Sequence, residues 1–370
     1  MLKVVTLAGT RPELIKLSRV IAEMDRHVDH VLVHSGQNHD YELNEIFFRD
    51  LEIRRPDHFL EAAGLNAAQT IARVIERFDK VLEAEQPDAV LLLGDTNSCL
   101  GVIAAKLHKI PIFHMEAGNR CFDFRVPEES NRRIVDHVSN INLVYTEHAR
   151  RYLLAEGLPP DTVIKTGSPM REVLAHFSKQ IDASDVLERL ELERDGYFIV
   201  SAHREENVDD RERLLTLLQT LESLAVEFDR RVIFSTHPRT RARIEAFGLS
   251  VGTAVEFIRP LGFFDYVHLQ MNAFCVVSDS GTITEESAIL GFPAVMVREA
   301  HERPEGMDEG TLIMTGLNRD RVVDSVRVIK SQSKLGMRQP TDYASENVAM
   351  KVVRIILSYT DFVMRTVWYQ

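Results

Sequence analysis

The sequence predicts an α/β protein of two doubly wound, Rossmann-like domains with a cleft between them. Three observations predict this fold. Short apolar segments alternate with amphipathic helical patterns, which favours parallel sheets covered by helices on both faces. The alternation restarts after the breaker cluster at residues 167–169, and 370 residues exceed the usual size of one core. We place the domains at residues 1–167 and 168–354, and expect a C-terminal helix over 355–370 to pack back on the first domain.

The first half carries apolar segments of strand length, typical of strands buried on both faces. They are Val4–Leu7, His30–Val33, Ala89–Leu93, Ile112–Met115 and Asn142–Tyr145. Helical patterns between them cover Ala67–Glu85 and Asn97–His108. The second half repeats the strand pattern at Phe198–Ser201, Val232–Ser235, Val255–Ile258, Phe274–Val277 and Ala294–Val297. Ligands of such sheets bind at the carboxyl ends of the strands, so we expect functional residues directly after these segments.

The composition excludes several classes of protein. A net charge of −12 argues against a nucleic-acid surface, and the short basic run Arg239–Arg243 is typical of a solvated helix face. No apolar run is long enough to span a membrane, and the N-terminal segment is too short for a secretory signal. The cysteines Cys99, Cys121 and Cys275 lack metal-ligand spacing and are too few for a disulfide framework. We expect a cytoplasmic protein.

The most informative stretch runs from Ser278 to Glu286, between a predicted strand and a predicted helix. Its small residues Ser280, Gly281 and Thr282 leave backbone N–H groups bare at the positive end of the helix, which is a place to hold phosphate. A carboxylate one turn later, on Glu285 or Glu286, is placed to reach ribose hydroxyls. This stretch predicts a nucleotide site.

Polar residues also follow the strands of the first half. Asp95 follows a wholly apolar strand, where an unpaired carboxylate is costly, but helix N-capping explains it equally well. Glu116 lies in a similar place, and His114 before it is typical of a satisfied core histidine. Arg11 and Lys16 are candidates for phosphate contacts, although Lys16 fits a surface lysine equally well.

Two further stretches have strong alternatives. Glu128 and Glu129 begin a helix after Pro127, where acidic residues are ordinary helix chemistry. His203 ends a strand, and imidazole suits proton transfer or a phosphate contact; a structural hydrogen bond is the alternative. The sequence contains no GxGxxG turn, Walker loop, HExxH pair or Gly-x-Ser-x-Gly elbow. We therefore expect no nicotinamide cofactor and no metal.

Taken together, these stretches resemble a known family. GTRPELIK, LLLGDTNS, FHMEAGNR, VPEESNRR, SAHREEN, STHPR, VVSDSGTITEES and HERPEG occur in order from residue 9 to residue 306. This ordered set is similar to that of the non-hydrolysing UDP-N-acetylglucosamine 2-epimerases, which have the two-domain GT-B fold. SGQNHDYELNEIFF, GDTNSCL, EAGNRCFDFRVPEE and REAHERPEG resemble most the branch that makes UDP-N-acetyl-L-fucosamine for capsules and O-antigens.

The resemblance implies inversion of C2 in a UDP-2-acetamido sugar, with no cofactor. A base removes the C2 proton as UDP leaves C1, and UDP adds back to the 2-acetamidoglycal as a proton arrives on the other face. The implied catalytic residues are Asp95, Glu116, Glu129, His203 and Lys16. The implied substrate-binding residues are Arg11, Arg259, Ser280, Gly281, Thr282 and Glu286. The family also implies a homodimer.

The resemblance favours UDP-2-acetamido-2,6-dideoxy-β-L-talose as the substrate. The alternatives are UDP-N-acetylglucosamine, a GT-B glycosyltransferase activity and a non-catalytic nucleotide-sugar binder. The chain departs from the broader family by an acid within His203–Asn207, by Thr282 in place of a glycine and by Asn119 in the EAGNR motif. Residues 35–44 depart from the loop that binds an activating second substrate molecule in bacterial homologues, so we do not expect that activation here.

Overall fold

The structure is a computed structural model that describes residues 1–37, 47–250, 252–332 and 338–370. Most of the 35–44 loop therefore lies outside the described residues. The chain divides into two compact units, residues 1–175 with 341–370, and residues 176–340. The breaker at 167–169 falls within the first unit. The domain boundaries expected at residues 167 and 354 stay a prediction.

The first unit is built on a parallel sheet with the strand order β3-β2-β1-β4-β5-β6-β7. Its strands are β1 (Lys3–Ala8), β2 (Asp29–His34), β3 (His58–Phe59), β4 (Ala89–Leu93), β5 (Ile112–Ala117), β6 (Ile141–Val144) and β7 (Val163–Lys165). The helices are α1 (Arg11–His27), α2 (Ala67–Glu85), α3 (Val102–Leu107), α4 (Pro127–Val138), α5 (Glu147–Ala155) and α6 (Met170–His176). Apolar side chains of β1 and β4 are fully buried, as expected for a parallel sheet covered on both faces.

The second unit repeats this plan with the strand order β10-β9-β8-β11-β12-β13, again parallel throughout. Its strands are β8 (Tyr197–Ser201), β9 (Arg231–Ser235), β10 (Val255–Ile258), β11 (Cys275–Ser278), β12 (Ala294–Met296) and β13 (Ile313–Met314). The helices are α7 (Ser178–Asp182), α8 (Val186–Arg189), α9 (Glu205–Val208), α10 (Arg211–Phe228), α11 (Pro238–Ala246), α12 (Phe263–Asn272), α13 (Ile283–Leu290), α14 (Pro304–Asp308) and α15 (Arg319–Ser331). Helix α16 (Val348–Val363) then belongs to the first unit, where it packs against α1.

The strand order reverses between β1 and β4 in one sheet and between β8 and β11 in the other. The predicted pair of doubly wound parallel sheets is therefore confirmed. Such reversals open a crevice at the carboxyl ends of the two strands, where ligands of α/β sheets bind. The segments that begin at Gly9, Gly94, Ala202 and Asp279 leave the sheets at these positions.

The structure differs from the predicted elements in a few places. The helix expected over Asn97–His108 begins as a 3-10 turn, Asn97–Gly101, and becomes α3 only at Val102. A side chain at Gly101 would come within 2.7 Å of Leu7, so this turn packs closely on β1. The edge strands β3, β7 and β13 were not predicted, because two or three residues show no periodicity.

The basic run Arg239–Arg243 lies on α11, as predicted for a solvated helix face. Arg239 pairs with Glu205 and Asp209, and Arg243 also pairs with Asp209. In the described part of the chain, every helix is too short or too polar to cross a membrane.

Candidate active site

The first group of predicted site residues lies at the carboxyl ends of β1, β4 and β5. Lys16 lies in the second turn of α1, which follows β1, and its ammonium is 2.6 Å from the carboxylate of Glu116 at the end of β5. The two side chains are 4% and 12% exposed. Lys16 also faces the ring of Tyr145, 5.7 Å from its centre. The surface-lysine alternative is therefore wrong, because Lys16 is buried and paired.

The backbone at Glu116 has a left-handed conformation, with φ at 62°. The pairing of β5 with β6 shifts register there, between Met115 and Ala117, so Glu116 occupies a bulge. A non-glycine residue in this region is strained, and such strain clusters at functional sites. The bulge takes the Glu116 side chain out of the regular alternation of the strand.

Arg132 of α4 connects the other two predicted carboxylates. Its guanidinium donates to Asp95 at 3.0 Å from Nε and to Glu129 at 3.0 Å from Nη1. Asp95 keeps 28% of its side chain exposed, whereas Glu129 and Arg132 are buried. The Asp95 side chain makes an ion pair with Arg132, and the N-cap position of the following 3-10 turn is Thr96.

Glu129 is the most enclosed of the three carboxylates. It accepts hydrogen bonds from the Cys121 backbone at 3.0 Å and from Arg133 at 2.9 Å, in addition to Arg132. Burial opposes ionisation, but the Cys121 and Arg133 hydrogen bonds and the Arg132 charge outweigh it, so the pKa of Glu129 is lowered. Glu129 is thus held as a carboxylate with both oxygens occupied.

Glu13 is a buried acid that was not among the predicted site residues. Its carboxylate accepts from the backbone N–H groups of Gly9 at 2.6 Å and Thr10 at 2.8 Å, and from the hydroxyl of Thr96 at 2.6 Å. Burial raises the pKa of Glu13 to about 7. The spacing of Thr10 and Glu13 is a capping box, and that signal was available in the sequence. Glu13 ties the loop after β1 to the loop that carries Asp95.

Asp136 fastens the two loops that carry Asp95 and Glu116. Its carboxylate pairs with His114 at 2.9 Å and accepts the Gly118 N–H at 3.2 Å and the Arg120 guanidinium at 2.7 Å. The other ring nitrogen of His114 reaches the Gly94 carbonyl at 2.7 Å. The prediction that His114 is a satisfied core histidine is confirmed. Asp136 was not predicted, because its partners are distant in sequence.

Arg11 lies at the start of α1, partly exposed, with its guanidinium 5.2 Å from the centre of the Phe47 ring. Arg11 lies two residues before Glu13 in the sequence, and the contact described here is with the aromatic ring of Phe47. Its role as a phosphate ligand stays a prediction.

The turn between β11 and α13 carries the residues predicted to hold phosphate in the second unit. Thr282 caps α13, and its hydroxyl is 3.0 Å from that of Ser280. The Ser280 N–H is already used, because it donates to the Ser278 hydroxyl at 3.0 Å. Within the described residues, the N–H groups of Gly281 and Thr282 make no hydrogen bond. These two N–H groups are the candidate donors to an anion at this helix end.

A buried ion cluster lies directly under this turn. A side chain at Gly281 would overlap the Glu302 carboxylate and come within 2.9 Å of Arg303. Glu302 accepts from Arg298 at 3.0 Å and from Arg303 at 2.9 Å. The close approach explains why Gly281 has no side chain. It also places the HERPEG motif beneath the predicted phosphate site.

His203 follows β8 and is held by a buried acid directly after the neighbouring strand β11. Its backbone N–H donates to Asp279 at 3.0 Å, and its ring Nδ1 is 3.4 Å from the same carboxylate. Asp279 also accepts from the Arg204 N–H and the Asn207 amide. The His203 ring stays 43% exposed and lies 5.6 Å from the His237 ring. Asp279 lies within the conspicuous turn but was not assigned a role from the sequence.

Glu286 lies one turn into α13, where it is 9% exposed. Its carboxylate accepts from the Gln270 amide of α12 at 2.7 Å. Arg259 is exposed after β10, which is the edge strand, and β9 and β8 separate it from β11. The topology thus brings His203, Ser280, Gly281, Thr282 and Glu286 to one end of the second sheet, whereas Arg259 lies at its margin.

Across the described residues, the acids, histidines and cysteines form no cluster suited to a metal ion. The first sheet therefore offers carboxylates held by Lys16 and Arg132. The second sheet offers backbone donors for an anion and a histidine. The first set suits proton transfer, and the second suits the binding of a phosphorylated ligand.

Comparison with known proteins agrees with this arrangement. Residues 22–357 match the family model described as UDP-N-acetylglucosamine 2-epimerase. The structure of a UDP-N-acetylglucosamine 2-epimerase from Rickettsia bellii is 53% identical, with a TM-score of 0.93 and complete coverage of both chains. That of the Methanocaldococcus jannaschii enzyme in complex with UDP-GlcNAc and UDP is 30% identical, with a TM-score of 0.91 over 96% of this chain and 100% of that one. These likenesses confirm the predicted fold class.

A relative that acts on a different sugar also matches most of the chain. The UDP-2,3-diacetamido-2,3-dideoxy-D-glucuronate 2-epimerase of Pseudomonas aeruginosa is 34% identical over 332 residues, which cover 88% of this chain and 92% of the relative. All of these proteins are 2-epimerases of UDP-sugars, and hence isomerases. The chain belongs to the UDP-N-acetylglucosamine 2-epimerase family.

Proposed function

We propose that this protein inverts C2 of a UDP-2-acetamido sugar by elimination and re-addition of UDP. The observation that carries the proposal is a set of three cation–carboxylate contacts near the carboxyl ends of β1, β4 and β5. There Lys16 holds Glu116, and Arg132 holds both Asp95 and Glu129. Several carboxylates with fixed orientation are what proton transfer on two faces of one carbon needs.

In the first half of the reaction, a carboxylate takes the C2 proton and the C1–O bond breaks toward UDP. The electron pair of the C–H bond becomes the C1–C2 double bond of the glycal. In the second half, UDP attacks C1 and a proton is delivered to the opposite face of C2. Asp95 and Glu116 keep part of their side chains exposed and are the proposed proton-transfer groups, with Glu129 as the third carboxylate.

The second unit stabilises the leaving diphosphate in this proposal. The C2 proton is weakly acidic, so departure of UDP supplies much of the driving force, and donors aimed at the developing charge lower the barrier. Ser280, Gly281 and Thr282 bind the β-phosphate, His203 assists its departure, and Glu286 accepts from the ribose hydroxyls. Arg11 and Arg259 complete the proposed ligand contacts, and no cofactor takes part.

For the sugar we propose UDP-2-acetamido-2,6-dideoxy-β-L-talose, with UDP-N-acetyl-L-fucosamine as the product for capsule or O-antigen synthesis. The support is the amino-acid sequence of the motifs that contain Gln37, Cys99, Cys121 and His301, which resemble those of that branch. The second candidate is UDP-N-acetylglucosamine, with UDP-N-acetylmannosamine as the product. It is favoured by the names of the Rickettsia and Methanocaldococcus proteins.

Proton NMR of the purified protein with each UDP-sugar separately, in deuterated buffer, tests both parts of the proposal. The true substrate should reach an equilibrium of two C2 isomers, each carrying deuterium at C2. Retention of the original hydrogen at C2 in the product would disprove the elimination route. Release of free sugar and UDP would indicate a hydrolysing enzyme, and conversion only with an acceptor would indicate a glycosyltransferase. Tight binding measured by calorimetry without conversion would indicate a binding protein.

We also propose that the protein acts as a homodimer in the cytoplasm. The family expectation supports the dimer, and the reduced cysteines support the compartment, since the three are free in the structure. Light scattering on the purified chain tests the first point, and a mass near 42.2 kDa would contradict it.

A further inference from the structure

We propose that helix α12 supplies two positioning residues for the nucleotide site, Gln270 for the ribose-binding carboxylate and Tyr266 for the phosphate turn. The two residues are four apart, so they lie on the same face of the helix, one turn from each other. The inference rests on the proposed function, because it takes Glu286 as the ribose contact and residues 280–282 as the phosphate contact.

Gln270 is buried, yet only one of the two polar atoms of its side chain has a hydrogen-bond partner among the described residues. It is fully buried, and its amide nitrogen donates to Glu286 at 2.7 Å. Its amide oxygen has no hydrogen-bond partner among the described residues. An unpaired buried carbonyl costs free energy that an apolar side chain of similar size would avoid. The cost is explained if the amide is kept for its donor, which fixes the orientation of the Glu286 carboxylate.

Tyr266 reaches the phosphate turn through two serines. Its hydroxyl donates to the Ser201 hydroxyl at 2.9 Å, which lies 2.9 Å from the Ser278 hydroxyl. Ser278 in turn accepts the Ser280 N–H at 3.0 Å. Burial raises the pKa of Tyr266 above its usual range, so the phenol remains a donor. This chain of hydrogen bonds fixes the first residue of the turn and directs the remaining N–H groups toward the ligand.

The two roles predict opposite ligand dependence. Calorimetry with UDP, 2′,3′-dideoxy-UDP and UMP measures them separately, because the second ligand lacks the ribose hydroxyls and the third lacks the β-phosphate. Gln270→Met should weaken UDP and UMP binding about fivefold and leave the dideoxy ligand unchanged. Tyr266→Phe should weaken both diphosphates about fivefold and leave UMP nearly unchanged. Gln219→Met on α10 is the matched control and should alter no affinity.

Three comparisons decide the inference. If Gln270→Met and Tyr266→Phe weaken all three ligands by the same factor, the residues are merely structural and the inference is wrong. If Glu286→Ala keeps the preference for UDP over dideoxy-UDP, the ribose assignment of the proposed function fails instead. Adding Gln270→Met to Glu286→Ala should change nothing further, and an additional loss of affinity would contradict a role through Glu286.

If Gln270→Met does not fold, Gln270→Glu replaces it. A second carboxylate beside Glu286 should remove the preference for UDP over dideoxy-UDP above pH 7. A retained preference would overturn the inference.

Discussion

The ammonium of Lys16 lies 2.6 Å from the carboxylate of Glu116, and both side chains are largely shielded from water. The pair joins the second turn of α1 to the bulge at the end of β5. Lys16 therefore holds in place a carboxylate whose backbone is already strained. A buried pair of this kind costs desolvation when it forms and more when one partner is removed.

Replacing Lys16 by alanine should lower kcat about 100-fold, because Glu116 loses its orientation and its counter-charge. The free energy of unfolding should fall by about 3 kcal/mol, since an uncompensated buried carboxylate remains. Epimerisation followed by NMR, together with urea denaturation, measures the two effects. Lys80→Ala, which removes an exposed ion pair with Glu76, is the control; unchanged kcat in Lys16→Ala would refute the role of the pair.

Asp95→Asn and Glu116→Gln should each lose turnover by about 1000-fold, because an amide keeps the shape of the group but cannot take the C2 proton. The affinity for UDP should stay within about twofold, because the proposed UDP contacts are in the second unit. Single-turnover kinetics and calorimetry separate these quantities. Wild-type turnover in both variants would remove these carboxylates from the mechanism.

Arg132→Lys should lower kcat about 100-fold, because an ammonium is a single point charge and does not bridge Asp95 and Glu129 as the guanidinium does. Arg133→Lys is the matched comparison. Arg133 contacts Glu129 and Glu156 and is 29% exposed, so its loss of activity should be less than about tenfold. Equal losses in the two variants would show that the bridge to Asp95 is unimportant.

Gly281→Ala should weaken UDP binding at least about 100-fold, because the added methyl group overlaps Glu302 and displaces the phosphate turn. Gly310→Ala is a useful contrast. Its added methyl group meets nothing within 4 Å, although φ there is +63°, so it tests backbone strain without a clash. If Gly281→Ala binds UDP normally, the turn does not hold the diphosphate.

Glu13 predicts a pH dependence of stability. Its pKa is raised from 4.5 to about 7 by burial, so between these values the unfolded chain releases a proton that the folded chain keeps. The folded state therefore binds more protons, and stability falls as pH rises from about 4.5 to about 7, by roughly 2–3 kcal/mol from this group. The loss from Glu13 levels off by about pH 8, where the folded carboxyl is ionised as well.

The Glu13→Gln variant should lack this slope, because the amide imitates the protonated acid and its oxygen still accepts the Gly9 and Thr10 N–H groups. Urea denaturation of both proteins at pH 5, 6, 7 and 8 measures the difference. The variant should gain on the wild type as pH rises, and parallel curves would show that Glu13 ionises normally in the folded protein. Glu83→Gln on the exposed side of α2 controls for the removal of one charge.

Much of this site could be anticipated because its residues follow strands whose apolar patterns are unambiguous. Strand Ala89–Leu93 was predicted to the residue, and with it the place of Asp95. The same pattern could not reveal Asp136 or Gln270, whose partners are 22 and 16 residues away in the chain. Their roles depend on which helices pack beside which strands. Glu13 is different, because its capping-box spacing was visible but gave no hint of its bond to Thr96.

Asp136 has a practical consequence for protein engineering. Its carboxylate bonds to His114, Gly118 and Arg120 and so fixes residues 114–120. Phe122 and Phe124, a few positions further along the chain, are 62% and 68% exposed. A mutant library that randomises residues 122–125 and leaves 114–120 intact changes the surface beside the carboxylates without loosening their anchor. Screening such a library against the candidate UDP-sugars tests whether this surface affects sugar preference.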